Sequence, residues 1–398
     1  MMETDFVSKR LFLLQDYIER EAYRGYDPYD ALTSPLFRLP LLNHNKLLRW
    51  GFQQVVKRLP INTRPLLGIA KGYNPVTLGL CLQAYTYLAK NQPKKSNGIK
   101  FDFLLSELLR LQSVGYSGAC WGYDFDWEAR YAKISAFTPT VVATGFITNS
   151  LFEYYRFTNN PTAFELCESA TRFVMNDLNK TFEGDAREGN LFCYSYSPND
   201  KQVVLNATMK GARLLAQVYS VTKNQALIDE ARRTVAFVVK KQQPSGAWAY
   251  ATKKGDARTW ADNFHTGYVL DCLDDYQKYS GDQSFNEALK KGLDYYEANF
   301  FENGEVPKYY DKSLYPIDAT AVAQSILTLT RFGKMDLAKR VVIWTLKNMQ
   351  DESGYIYYQR TKRGINKIPY MRWSSAWVFM AIAYYLGKGA NNDTHTFT

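Results

Sequence analysis

The chain has 398 residues, 46% hydrophobic and 22% charged, a composition that excludes a disordered, collagen-like or low-complexity protein. Its 49 Lys and Arg against 39 Asp and Glu leave a net charge of +10, moderate for this length and spread along the chain. Such a balance suits a solvated basic surface or an acidic glycan or membrane partner; without any helix-turn-helix, zinc-finger or RNA-recognition pattern it argues against nucleic acid.

Residues 1–25 lack a signal-peptide pattern, because Asp16 and Glu19 interrupt the short apolar run. No stretch of about 18 uncharged apolar residues occurs, so no spanning helix is predicted and a cytoplasmic location is expected. The segments VSKRLFLLQDYIER and NKLLRWGFQQVVKRL both read as helices. From there a repeat dominates. Loops ending in polar or aromatic residues open directly into apolar helices rich in small residues, at GYNPVTLGL, TPTVVATGF, VVLNATMKG, WADNFHTGY, YPIDATAVA and RWSSAWVFM. Aligned on Asn74, Pro139, Asn206, Asn263, Asp318 and Trp373, the copies are spaced by 65, 67, 57, 55 and 55 residues.

Between them lie amphipathic helices, such as FELCESATRFVMNDL and LIDEARRTVAFVVKKQQ, with charge on one face. Six helices of the first kind and five of the second leave one outer helix to be supplied by either N-terminal segment. Helices that tolerate neighbours on every side form an inner ring, and amphipathic helices an outer one. The expectation is an all-α (α/α)6 toroid, a single domain over 1–398, with the helices of 1–60 closing the ring and 389–398 as a flexible tail. An open helical solenoid is the alternative architecture.

Five well-separated cysteines without a C-x-x-C pair, and three histidines, predict neither a disulfide framework nor a zinc site. No metal and no cofactor are expected. Three outer-to-inner connections share a glutamine, a glycine and, in two, a tryptophan: Gln242–Gly246–Trp248, Gln350–Gly354, and a longer Gln112–Gly118–Trp121. These resemble the QW repeats of squalene cyclases and protein prenyltransferase β-subunits, a resemblance that bears on fold rather than chemistry. The polyprenyl function itself is disfavoured. Asp271-Cys-Leu-Asp274-Asp275 has the wrong spacing for the cyclase acid, and no Asp, Cys and His zinc set is present.

Parallel inner helices would bring their N-termini to one mouth, where aligned dipoles favour an anionic ligand. The residues there include Tyr73, Asn74, Asn206, Asp262, Asn263, His265, Asp318, Arg372 and Trp373. Capping explains the Asn, Asp, Ser and Thr among them, but not Trp260, His265, Arg372 or Trp373. The segment 118–130 adds Trp121, Tyr123, Asp126, Trp127 and Arg130, and further loops contribute Tyr196, Tyr310 and Tyr358. Aromatic faces stack on sugar rings while carboxylates bond hydroxyls or move protons, so this set reads as a carbohydrate cleft. Asp126, Asp262, His265 and Asp318 are the proton-transfer candidates, with Arg372 and Arg130 gripping a carboxylate. Two facing carboxylates would suit hydrolysis. A histidine or tyrosine opposed to a carboxylate would suit proton abstraction beside a uronate carboxyl group.

The stretches PINTRPLLGIAKGYNP, GYSGACWGYDFDW, WADNFHTGYVLD, KYYDKSLYPID and IPYMRWSSAW resemble a group of bacterial proteins associated with capsule and exopolysaccharide biosynthesis. That group is similar in architecture to uronyl hydrolases, polysaccharide lyases and glucuronyl C5-epimerases. The stretch YSYSPNDKQVVLNATMKGARLLAQVY loosely resembles a helix entry of the epimerases. The resemblance implies an enzyme that makes or modifies an acidic surface glycan by epimerisation, elimination or hydrolysis. Its substrate would be a glycan or lipid-linked oligosaccharide, met in the cytoplasm or at the inner membrane surface with peripheral association. The competing expectation is a non-catalytic glycan-binding or assembly protein using Trp121, Trp127 and Trp373.

Overall fold

The computed structural model describes residues 2–91, 98–129, 133–183, 190–251 and 259–393. Six helices form an inner ring: α4 (Pro75–Asn91), α6 (Val141–Thr158), α8 (Leu205–Thr222), α10 (Asn263–Ser280), α12 (Ala319–Arg331) and α14 (Trp377–Asp393). Each packs on the next, and α14 packs back on α4 to close the circle. Around them lie α1 (Met2–Arg20), α5 (Gly98–Arg110), α7 (Pro161–Arg172), α9 (Gln225–Lys240), α11 (Asn286–Asn299) and α13 (Met335–Asn348). The fold is an (α/α)6 toroid.

Small side chains let the inner helices touch. A Cβ at Gly267 of α10 would stand 2.6 Å from Cγ of Gln324 on α12, so only hydrogen fits there. Buried hydroxyls are satisfied within the ring. Thr148 donates to the Thr144 carbonyl at 2.9 Å, and Ser325 to the Ala321 carbonyl at 2.9 Å. All five cysteines are free and buried.

The two faces of the ring differ. Inner helices pass to outer ones through tight turns that place Asn159, Lys223 and Gly281 in the left-handed region. The return connections are long and carry all the described strands. These are the hairpins β1 (Trp127–Glu128)/β2 (Lys133–Ile134), β3 (Lys180–Glu183)/β4 (Leu191–Tyr194) and β5 (Phe301–Glu302)/β6 (Val306–Pro307), and a three-stranded sheet. In that sheet β8 (Gln359–Thr361) lies between β7 (Ile317–Asp318) and β9 (Gly364–Asn366), pairing Asp318 with Gln359 and Gln359 with Asn366.

Two of the glutamine–glycine corners bind an outer helix to the next, whereas Gln112 turns back to the Leu109 carbonyl of its own helix. Gln242 Nε2 donates to the Gly246 and Ala288 carbonyls, and Gln350 Nε2 to those of Gly354 and Arg10. Gly246 (φ 92°) and Gly354 (φ 105°) abut the carbonyls of Lys291 on α11 and Leu13 on α1. Thus α1 meets the corner after α13 as α11 meets the corner after α9, in the sixth outer position. The segment NKLLRWGFQQVVKRL, read as an alternative ring helix, lies elsewhere. Its helix α3 (Lys46–Arg58), preceded by α2 (Pro40–His44), packs on the 3-10 turn Asp30–Thr33 and on β1, over the loop face. At the C-terminal end α14 continues past position 389 to Asp393, and residues 394–398 of the expected tail lie outside the described residues. No helix among the described residues is long and apolar enough to cross a membrane.

Candidate active site

The return loops enclose a cavity of about 310 Å³ at the N-terminal ends of the inner helices. Its walls are mostly aromatic, including Tyr29, Tyr123, Trp127, Tyr196, Tyr250, Trp260, Tyr268, Trp373 and Trp377. Polar side chains other than tyrosine enter at few points: Gln202, Asn206, Asp262, His265, Thr320 and Arg372. A second, more polar chamber of about 660 Å³ shares Tyr29, Tyr309 and Trp373 with the first, and is lined by Lys57, Arg58, Tyr310, Asp318, Tyr358 and Arg363.

Asp262 caps α10, with Oδ1 accepting the His265 N–H at 3.0 Å. Its Oδ2 lies 2.7 Å from His265 Nδ1. The carboxylate is buried while the imidazole is partly exposed in the cavity wall, between the rings of Tyr250, Phe264 and Tyr268. One capping residue therefore performs two tasks. It starts the helix, and it fixes the imidazole with a proton on Nδ1, leaving Nε2 to accept one.

Asp318 caps α12 in the same way, its Oδ1 accepting the Thr320 N–H at 2.9 Å. It is fully buried and also accepts Gln359 Nε2 at 2.6 Å and the Trp373 indole N–H at 3.0 Å. Burial pushes its carboxyl up to about 6, against the pull of those donors. With both oxygens engaged, Asp318 holds the Trp373 indole between the two chambers.

Arg372 and Trp373 sit on a π-helical turn, Met371–Ala376, where Ser375 N–H reaches back five residues to the Tyr370 carbonyl at 3.2 Å. Such wide turns re-aim side chains that a regular helix would direct elsewhere. Arg372 is clamped side-on by Asp27, Nε to Oδ2 at 2.7 Å and Nη2 to Oδ1 at 3.0 Å, and lies over the Tyr123 ring at 4.6 Å. Its charge is thus already paired where it reaches the cavity.

The structure brings Tyr123, Trp127, Tyr196, Asn206, Trp260, Asp262, His265, Arg372 and Trp373 to the inner chamber, and Tyr310, Asp318 and Tyr358 to the outer one. Other candidates fall outside both. Trp121 is wholly buried, its indole donating to the Leu108 carbonyl at the end of α5, because the glycine corner folds it onto the ring. Asn263 is locked between Ser325 and Tyr296 in the seam of α10 and α12. Asp126 pairs with Lys133 across the β1/β2 hairpin at 2.7 Å and caps the Ala136 N–H. Asn74 caps α4 and donates to Asp124 in a separate polar cavity. Tyr73 stacks under Arg24, and Arg130 lies outside the described residues.

Tyr29, Tyr250, Tyr268, Lys57, Arg58 and Arg363 line the chambers although the sequence reading did not point to them, and Tyr309 joins its neighbour Tyr310 there. Tyr268 was within reach of sequence reasoning, since it follows His265 by one helical turn. Tyr29 and Lys57 were not, because the N-terminal segments read as ring closure only. Among the described residues no group of three or more His, Cys, Asp or Glu could hold a metal ion.

Two concentric helical rings are an architecture shared with several solved carbohydrate-active enzymes. No family model matches the chain, and the search of curated proteins gave no match. Among solved structures it is similar to the cellobiose 2-epimerase of Bacillus thermoamylovorans B4167, with TM-score 0.62 and 13% identity over 81% of this chain and 90% of that one. It is also similar to a GH76 α-mannanase of Bacteroides thetaiotaomicron (TM-score 0.55, 14% identity, 81% and 86% covered). A possible GH105 family member from Salmonella enterica serovar Paratyphi A gives TM-score 0.56 at 13% identity, over 79% and 83%. At these identities the likeness is one of fold.

Proposed function

We propose that this protein is a carbohydrate-active enzyme that moves a proton at carbon in an acidic, uronate-containing glycan, by epimerisation or elimination. The observation that carries the reading is the Asp262–His265 pair opening on an aromatic chamber in which no second carboxylate lines the described wall. Hydrolysis by the usual route needs two carboxyl groups flanking the bond, and Asp318 is enclosed by its donors. In the proposed step His265 Nε2 takes the proton from the carbon beside the uronate carboxylate, and the electron pair moves onto the carboxylate oxygens. Return of a proton on the opposite face inverts the centre; departure of the β-oxygen instead gives the unsaturated sugar. Burial holds the hydroxyls of Tyr196, Tyr268 and Tyr309 well above 10, so they stay protonated and can supply that proton.

The acidic substrate is supported by the outer chamber, where Lys57, Arg58 and Arg363 line one continuous space. Lys57 is held there by the Tyr29 hydroxyl at 2.5 Å. These cations suit the carboxylates of flanking sugars better than Arg372, which Asp27 already neutralises. We place the substrate on a lipid carrier in cell-surface polysaccharide synthesis, with the protein in the cytoplasm at the inner membrane surface.

The test is incubation in heavy water with uronate oligosaccharides, read by mass spectrometry. Deuterium gained without cleavage means epimerisation, and unsaturated fragments mean elimination. Saturated fragments would replace this reading with hydrolysis. Binding without any change in mass would leave a glycan-binding protein.

A further inference from the structure

We infer that the α2–α3 segment is a docking surface for an anionic lipid bilayer. Nine of the twenty exposed large apolar side chains among the described residues fall between Leu36 and Leu66, a stretch of 31 residues. Leu41 and Leu47 are each 78% exposed and Leu66 is 90% exposed. Single exposed leucines are ordinary; nine large apolar side chains in one short segment are a concentration of apolar surface that a water-facing element avoids.

The helical period explains how the patch is presented. On α3, Gln53 and Val56 are buried, Gln53 bonding the Glu128 backbone through both ends of its amide. At 100° per residue, Leu47, Leu48 and Val55 fall on the opposite arc and Trp50 on its flank, and all four are exposed. The helix therefore has two apolar sides, one facing the protein and one facing outward.

Charge selects the occupant. No Asp or Glu occurs from position 31 to position 101, whereas Arg38, Lys46, Arg49, Lys57, Arg58, Arg64 and Lys71 all lie between 38 and 71. Arg64 is consumed by buried Asp30, Arg49 by buried Glu128, and Lys71 by Glu21. Arg38 and Arg58 stand exposed beside the leucines, and Lys46 is exposed at the start of α3. The carboxylates that other elements bring to α3 are engaged: Glu128 pairs with Arg49, Asp30 of the adjoining 3-10 turn with Arg64, and Asp318, towards Lys57, is held by Gln359 and Trp373. An outward apolar arc with a cationic rim matches a helix lying in the headgroup region of a bilayer. A second protein copy would set like charges against each other across the same face.

Position gives the surface its use. Lys57, on the same helix, lines the outer chamber, so docking α3 brings the cleft to the membrane plane. This deepens the reading of a lipid-linked substrate by naming the surface that would meet the lipid.

The experiment is co-sedimentation of the purified protein with vesicles of phosphatidylcholine alone, or of phosphatidylcholine with phosphatidylglycerol. Binding is expected only with the anionic lipid, weakening several-fold between about 50 mM and about 300 mM salt. The triple variant Leu41→Ser, Leu47→Ser, Trp50→Ser should bind at least about tenfold more weakly, and Arg38→Gln with Lys46→Gln should abolish the lipid preference. Far-ultraviolet circular dichroism and melting temperature should match the wild type, since the changed side chains are exposed. Absence of vesicle binding, or undiminished binding by the leucine variant, overturns the inference. So does a wild-type dimer that the leucine variant dissolves while vesicles remain unbound. No glycan is present, so failure here leaves the proton-transfer reading standing; inactivity on free oligosaccharides would likewise leave the docking surface standing.

Discussion

His265 is held by a residue that is also a helix cap, which makes the two members of the pair separable by experiment. His265→Gln should lower deuterium incorporation into substrate by about 10²–10⁴-fold while leaving the melting temperature nearly unchanged. Asp262→Asn should lose activity as well, and about 1 kcal/mol of stability in urea titration through the weakened cap. Asp318 carries a pH signature. Its carboxyl titrates near 6 in the fold against 3.8 as a free side chain, so the folded state holds the extra proton between those values. That stabilisation is full below 3.8 and is lost as pH rises through 6. Asp318→Asn should flatten the melting temperature across this window. Lys210, pinned between the Phe146 and Tyr268 rings beneath the cavity, has the opposite slope. Burial lowers its amine from 10.5 to about 7, so stability should climb from pH 7 towards 10, and Lys210→Met should remove that climb. Sequence reasoning reached His265 and Asp262 because an i, i+3 pair at a helix start has few geometries. It could not separate Trp121 from Trp260. A tryptophan that packs on a helix end and one that walls a cleft satisfy the same local rules, and only the long-range fold of each loop distinguishes them.

Among the elements, the corners between outer helices were readable from their glycines, and their geometry now gives them an energetic meaning. At Gly354 a Cβ would stand 2.1 Å from the Leu13 carbonyl in a backbone region that side chains rarely adopt. Gly354→Ala should therefore cost about 2 kcal/mol or more in urea unfolding, whereas Gly281→Ala, which meets nothing within 4 Å, should cost only its strained φ. The inner helices were legible too, since their small residues and their caps at Thr140, Asp262 and Asp318 appear directly in the chain. The placement of α3 was not. An amphipathic pattern tells that a helix has an apolar stripe but not which neighbour covers it, and here the outward arc is apolar as well. The π-helical turn at Met371–Ala376 was hidden for a related reason: its sequence reads as an ordinary helix start, and the partners that hold its side chains, Asp27 on Arg372 and Asp318 on Trp373, lie far away in the chain.

Across the molecule, closure depends on contacts between the two ends of the described chain. Arg10 on α1 bonds the Leu346 carbonyl on α13 and the Gln350 carbonyl beyond it, and Gln350 returns a bond to the Arg10 carbonyl. Deleting residues 2–20 should leave the apolar faces of α13 and α14 open, and calorimetry should show a broadened, lower transition with aggregation in place of one cooperative peak. The repeat was visible in the sequence because every copy solves the same packing problem, whereas the identity of the sixth outer helix required knowing which loop it meets. The same join has a consequence for biosynthesis. On the ribosome α1 emerges long before α13 and α14, so until these follow, Val7, Leu11, Leu14 and Ile18 lack the helices that complete their cover. A closed ring cannot nucleate at one end and grow to completion; α1 must wait for α13 and α14. The nascent chain thus presents an early, long-lived apolar helix to chaperones, and slowing elongation would lengthen that wait rather than assist folding.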